Sequence, residues 1–189
     1  TLILTVRLIA TSFIDTAVLT RTGRRKVVTT RLRRNYSKRD CELSMPKQKC
    51  RCTWCGDDPL YCEYHDTEWG VPLFDERKLF EMLILEAAQA GLSWITVLRK
   101  RENYRKAFDN FDAKKIARYT PEKIEKLMQD SGIIRNRLKI QSAIQNARAL
   151  LAMKENGEDF SEFLWSFVNH KPLQNTLHSM ADAVAMTPE

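Results

Sequence analysis

The sequence lacks any apolar run long enough to cross a membrane, because charged residues interrupt every hydrophobic stretch short of the ~20 residues that a span needs. It also lacks internal repeats and low-complexity segments after residue 45. These absences exclude a helical membrane protein and a repeat array. The 189 residues, 43% of them hydrophobic, can bury one sizeable core, so one domain is the default expectation.

The sequence also lacks an even set of spaced cysteines. Its five cysteines fall within 22 residues: Cys41, Cys50, Cys52, Cys55 and Cys62. An odd, clustered set fits poorly with the disulfide framework of a secreted protein. We therefore expect reduced thiols in an intracellular protein that has no membrane association.

The larger part of the chain has no surplus of charge. Residues 1–44 contain ten Lys or Arg and three Asp or Glu, which accounts for the net charge of +7, and the remaining residues carry 21 of each sign. Global charge therefore predicts nothing about the folded part. The basic segment 1–44 resembles an organellar targeting peptide or translated upstream sequence, with Met45 as the natural start. We favour the second reading, and we expect residues 1–44 to be disordered or non-native.

Residues 45–189 carry the signals of helices. Asp75 can cap a helix that stops at Gly91, and Ser93 can cap the next helix. Thr120-Pro121 is a strong helix start, and Asn156-Gly157 closes a long apolar-faced segment. The predicted class is all-α.

One carboxylate stands out in the stretch EAAQAGLSWITVLRKR, residues 86–101. If Phe80 to Gly91 is helical, no cation lies one turn from Glu86, so the helix gives it no counter-charge. A desolvated carboxylate without a partner is costly. Another part of the fold, or a ligand, must meet Glu86.

Two arrangements of thiols and imidazole could hold a metal ion. Cys52 and His65 could form half of a tetrahedral zinc site. Alternatively, Cys52, Cys55, Cys62 and His65 could form a self-contained four-ligand site. Ordinary buried cysteines and a surface histidine would give the same pattern, so spacing leaves all three open.

Aromatic residues are dense around the same region. They are Trp54, Tyr61, Tyr64 and Trp69, followed by Trp94. Such residues mostly pack in cores, but beside a lone carboxylate they could also line a slot for a flat heterocycle.

A turn between two predicted helices could hold a phosphate. It starts at Gly132 and is followed by Arg135, Arg137 and Lys139. Backbone N–H groups at a helix start bind phosphate, although most such turns are plain helical corners. Together with the slot and the lone acid, this turn suggests handling of a base extruded from DNA.

Four blocks in this order closely resemble the DNA-3-methyladenine glycosylase I family: RCTWCGDDPLYCEYHDTEWGVP, LFEMLILEAAQAGLSWITVLRKRENYRKAF, GIIRNRLKIQSAIQNARA and WSFVNH. The resemblance covers residues from about 50 to 172. It implies a helix-hairpin-helix glycosylase fold and hydrolysis of the N-glycosidic bond of 3-methyladenine in alkylated double-stranded DNA. A bacterial cytoplasmic protein that acts as a monomer is expected.

The resemblance also implies roles for individual residues. Glu86 is expected to hydrogen-bond the lesion base, and Tyr64 and Trp94 to be its stacking walls, with Tyr61 and Trp69 close by. Cys52 and His65 correspond to the first two ligands of a structural zinc site.

The sequence departs from the family at its C-terminal end. The family takes two further zinc ligands, a His and a Cys, from a segment beyond WSFVNH, but no Cys follows Cys62 here, and His178 is isolated. We therefore expect a C-terminally incomplete glycosylase domain with an incomplete zinc site. The alternatives are an inactive remnant that binds damaged DNA and a small zinc module for protein contacts.

Overall fold

The computed structural model describes residues 51–172. The predicted extension 1–44, Cys50 and the segment with His178 lie outside the described residues. Within them there are eight α-helices, two short 3-10 turns and no strand, which confirms the all-α prediction. The helices are α1 Pro59–Thr67, α2 Glu76–Gln89, α3 Trp94–Leu98, α4 Arg101–Ala107, α5 Ala113–Ile116, α6 Pro121–Gln129, α7 Arg137–Glu155 and α8 Phe160–Ser166; the 3-10 turns are Thr53–Cys55 and Asp109–Phe111.

Short polar side chains begin most of these helices. The predicted caps are confirmed: Asp75 accepts a hydrogen bond from the backbone N–H of Lys78 at 2.9 Å, and Thr120 accepts one from Lys123 at 3.4 Å. Each cap satisfies one of the N–H groups that lack a partner inside the helix.

The predicted helix after Ser93 is wrong in two respects. The Ser93 hydroxyl pairs with Thr96 Oγ1 at 2.7 Å and caps no backbone group. The segment also breaks into α3 and α4, where the N–H of Lys100 bonds to Val97 O. After the break, Arg101 begins α4 and reaches Glu81 on α2.

Helix α2 lies at the centre of the fold, with buried side chains along most of its length. It packs on α7 and α8, and its end leads into α3. Phe80, Leu85 and Ile140 are among the most deeply buried side chains. Because α2 is clamped on several sides, the direction of each of its polar side chains is set by packing.

A left-handed turn follows α4. Asp109, Asn110 and Phe111 have φ of 50°, 52° and 55°, and none is a glycine. Such a conformation costs free energy for each residue. The turn lets Phe108 and Phe111 enter the core with nearly parallel rings 6.3 Å apart, and Tyr119 donates a hydrogen bond to Asp109 at 2.6 Å.

Among residues 51–172, no helix combines the length and the apolar character that crossing a membrane requires.

Candidate functional site

A cavity of about 1110 Å³ opens between α1, α2 and the start of α3. Its lining has two parts. The aromatic end includes Glu86 with Trp54, Tyr61, Tyr64, Trp69 and Trp94, and the charged end includes Glu68, Glu81, Arg101 and Arg105. The base-binding residues that the sequence predicted therefore all border the same cavity: Tyr61, Tyr64, Trp69 and Trp94.

Glu86 borders this cavity from α2 and is partly buried. No hydrogen bond or ion pair to its carboxylate occurs among residues 51–172, in agreement with the prediction that its helix offers no cation. Burial raises the pKa of Glu86 to about 7. Near neutral pH the carboxyl group can therefore hold a proton or release it, and it remains available to a ligand.

Glu81, five residues earlier on the same helix, has the opposite surroundings. Glu81 is only 7% exposed, yet its Oε1 accepts hydrogen bonds from Arg101 Nε at 2.6 Å and Arg105 Nε at 3.0 Å. Both arginines come from α4. Sequence reasoning missed this cluster, because the partners are twenty or more residues away.

Tyr64 and Trp94 flank the Glu86 end. Their ring centroids are 5.5 Å apart at an interplanar angle of 52°. Burial, and then the nearby charge of Glu86, raises the pKa of the Tyr64 hydroxyl. The indole Nε1 of Trp94 is buried and has no hydrogen-bond partner within the described part of the chain. The rings of Tyr64 and Trp94 and the carboxyl group of Glu86 thus lie together at the aromatic end of the cavity.

A second aromatic group extends this wall. Trp54 lies 4.8 Å from Tyr61 and 5.3 Å from Trp69, between ring centroids. The dense aromatic run in the sequence indicated Trp54 as a possible slot residue, but the family resemblance assigned it no role in base binding.

Cys52 and His65 come together, as the sequence predicted, and a hydrogen bond joins them. The backbone N–H of Cys52 donates to His65 Nε2 at 3.2 Å, and His65 Nδ1 contacts Asp66 Oδ1 at 3.1 Å. Both imidazole nitrogens are therefore occupied by protein partners. In this arrangement the two residues do not fit a zinc ion without rearrangement.

The described residues do not form the alternative four-ligand zinc site. All four candidates lie within residues 51–172, and no group of three or more possible ligands forms there. The Cys55 and Cys62 thiols instead lie near the carbonyl of Gly56, at 3.9 and 3.4 Å.

The predicted phosphate-binding turn connects α6 and α7. The N–H of Gly132 donates to Asp130 at 2.7 Å, and a Cβ at this position would lie 2.9 Å from the same carboxylate oxygen. Arg137 pairs with Glu125 at 2.7 Å, whereas Arg135 is exposed and has no side-chain partner among the described residues.

Lys139 has an internal role that the sequence did not reveal. Its Nζ donates to the carbonyl oxygens of Ala88 and Ala90, both at 2.7 Å. These carbonyls close the C-terminal end of α2, so Lys139 caps the helix that carries Glu86. These bonds use two of the three N–H donors of the ammonium group, and the phosphate role of Lys139 stays a prediction.

Comparison with known proteins gives a consistent result. The family model for methyladenine glycosylase matches residues 54–189. The DNA-3-methyladenine glycosylase of Haemophilus influenzae is 54% identical over 137 residues, which cover 72% of this chain and 74% of that protein. DNA-3-methyladenine glycosylase 1 of Escherichia coli K12 is 62% identical over 122 residues, 65% of each protein.

A solved structure agrees with the sequence comparisons. The crystal structure of a 3-methyladenine DNA glycosylase I has a TM-score of 0.72 and 56% sequence identity, covering 74% of this chain and 76% of the other. The chain belongs to the methyladenine glycosylase family.

Proposed function

We propose that the chain is a base-excision repair glycosylase that hydrolyses the N-glycosidic bond of 3-methyladenine in alkylated DNA. One observation carries the proposal: Glu86, without a partner among residues 51–172, borders a cavity whose walls include Tyr64 and Trp94. Family membership gives the reaction class, and this geometry gives a site for an extruded base.

The aromatic walls suit the lesion. A 3-methylated adenine in DNA carries a formal positive charge, and the faces of electron-rich rings attract cations by about 0.5–2 kcal/mol. The same charge weakens the bond to the sugar, since the base departs neutral. Little acid catalysis is therefore needed.

Glu86 supplies selectivity through its protonation state. Its pKa of about 7 reflects burial alone, so a positive base beside it favours the ionised carboxylate. A neutral adenine offers no such compensation. The site thus binds the lesion with an ionised Glu86, and the anion also favours positive charge that develops on the sugar in the transition state.

We propose that the turn between α6 and α7 contacts DNA phosphate. Arg135 is the best candidate for this contact, because it is exposed and has no side-chain partner among residues 51–172. We further propose that the chain acts as a monomer on double-stranded alkylated DNA in the bacterial cytoplasm. Zinc stays a prediction, because two ligands besides Cys52 and His65 would have to come from outside residues 51–172.

Release of free 3-methyladenine from methylated duplex DNA tests the proposal. The parental chain should release the base, Glu86→Gln should release it much more slowly, and the exposed control Glu155→Gln should match the parent. Parental excision by Glu86→Gln would remove Glu86 from the mechanism. A parental chain that binds abasic DNA but releases no base would instead support the inactive-remnant alternative.

A further inference from the structure

The charged end of the cavity contains a network whose centre is Arg101. The side chain of Arg101 is 14% exposed, and its guanidinium contacts two carboxylates from different parts of the chain. Nε donates to Glu81 Oε1 at 2.6 Å, and Nη1 donates to the two oxygens of Glu68 at 2.9 and 2.7 Å. The planar fork of a guanidinium fixes the direction of both partners, which a single ammonium cannot do.

The two carboxylates belong to the two sides of the base slot. Glu81 is on α2, the helix of Glu86. Glu68 ends α1, and its backbone N–H donates to the carbonyl of Tyr64 at 2.9 Å. A bond between Arg101 and Glu68 therefore fixes the end of α1 at which Tyr64 lies.

We propose that Arg101 is a positioning residue for base binding, which sets the separation between the Tyr64 ring and the Glu86 carboxylate. Arg101 lies at the charged end of the cavity, and it acts through its bonds to Glu68 and Glu81. The inference rests on the proposed function, because it names what holds that site in shape. Small displacements of binding groups cost much of the rate, so the effect should appear in base binding and in excision.

Arg105 provides a matched control within the same network. It shares Glu81 with Arg101, through Nη2 at 2.8 Å, and it also pairs with Glu102 on its own helix. Within residues 51–172, no hydrogen bond or ion pair joins Arg105 to Glu68. Arg105 thus helps to neutralise Glu81 but does not tie α1 to α2.

The experiment compares Arg101→Lys, Arg105→Lys and Glu68→Gln with the parent. Three quantities are measured: the Kd for free 3-methyladenine by equilibrium dialysis, the Kd for abasic-site duplex DNA, and the single-turnover rate of excision. Arg101→Lys should raise the Kd for the base about tenfold and slow excision in parallel. Arg105→Lys should raise the Kd for the base clearly less than Arg101→Lys does, and abasic-DNA affinity should be unchanged in all three variants.

Glu68→Gln keeps the inference testable if Arg101→Lys folds poorly. The Glu68 side chain is 43% exposed, so its replacement should leave Tm close to that of the parent while raising the Kd for the base. A purely structural network would lower Tm without changing base affinity in the folded protein. Equal effects of Arg101→Lys and Arg105→Lys, or parental base affinity in Glu68→Gln, would overturn the inference. A parent that neither binds nor releases 3-methyladenine would overturn the proposed function instead.

Discussion

Replacement of Glu86 by glutamine should stabilise the protein, and the gain should grow with pH. Burial raises the pKa of Glu86 from the ordinary 4.5 to about 7. Between these two values the folded protein holds a proton that the unfolded chain has released, so the stability of the parent falls as pH rises through this window. A glutamine at this position stays neutral and escapes that loss.

The magnitude follows from the two pKa values. Their difference corresponds to a ceiling of about 3 kcal/mol at pH 8, taking 1.36 kcal/mol for each pH unit. Water in the open cavity relieves part of the desolvation of the carboxylate, and we therefore expect a gain of about 1–2 kcal/mol. At pH 5 the pH has risen only slightly above 4.5, the lower of the two pKa values, so the gain should be well below 1 kcal/mol.

Urea unfolding followed by tryptophan fluorescence at pH 5 and pH 8 measures this gain. Glu81→Gln is the matched control on the same helix, and it should destabilise the protein at both pH values, because two partly buried guanidiniums lose their shared carboxylate partner. The same free-energy difference between parent and Glu86→Gln at pH 5 and pH 8 would refute the reasoning. So would a Glu86→Gln variant that is less stable than the parent at pH 8.

Three further predictions concern the walls, the helix cap and the turn. Trp94→Ala should weaken binding of free 3-methyladenine by about ten- to a hundredfold, as measured by equilibrium dialysis. Trp94→Phe should bind the base about as tightly as the parent. Full affinity in the alanine variant would contradict stacking of the base on Trp94. Lys139→Met should lower the free energy of unfolding in urea by about 1–2 kcal/mol, because two carbonyls lose their donor, and unchanged stability would exclude the cap. For binding to duplex DNA, Arg135→Ala should reduce the slope of log K against the logarithm of the salt concentration by about one. Arg137→Ala should reduce this slope by less, because Arg137 already pairs with Glu125. A larger effect of Arg137→Ala would contradict this ranking.

The sequence predicted the features that depend on neighbours along the chain. The caps at Asp75 and Thr120 need only a short polar side chain before an apolar run, and both are confirmed. The break between α3 and α4 has no comparable local sign, since neither Arg99 nor Lys100 disfavours a helix. The left-handed turn contains no glycine. Asp109 and Asn110 are residue types that adopt this conformation more readily than most, whereas Phe111 is held in it by burial of its ring in the core.

The site was predictable to the extent that it is made of rare residue types. Aromatic density and a carboxylate without nearby cations indicated the residues that border the cavity. The partners of polar side chains were not predictable, because tertiary contacts select them. Lys139 reads as a surface cation beside a turn, yet its Nζ lies against the carbonyls of Ala88 and Ala90.

Glu81 and Glu86 show that neighbours along a helix indicate which acid lacks a cation but not which cations pair with the other acid. Glu81 has Arg77 and Lys78 one turn before it, but its partners in the fold are Arg101 and Arg105. Both acids border the same cavity, and five residues at about 100° each turn them ~140° apart around the helix axis. One therefore faces α4 and the other the aromatic wall. A helix can keep an acid without a counter-charge only if other contacts hold it in place, and the Glu81 cluster and the Lys139 cap supply such contacts on either side of Glu86.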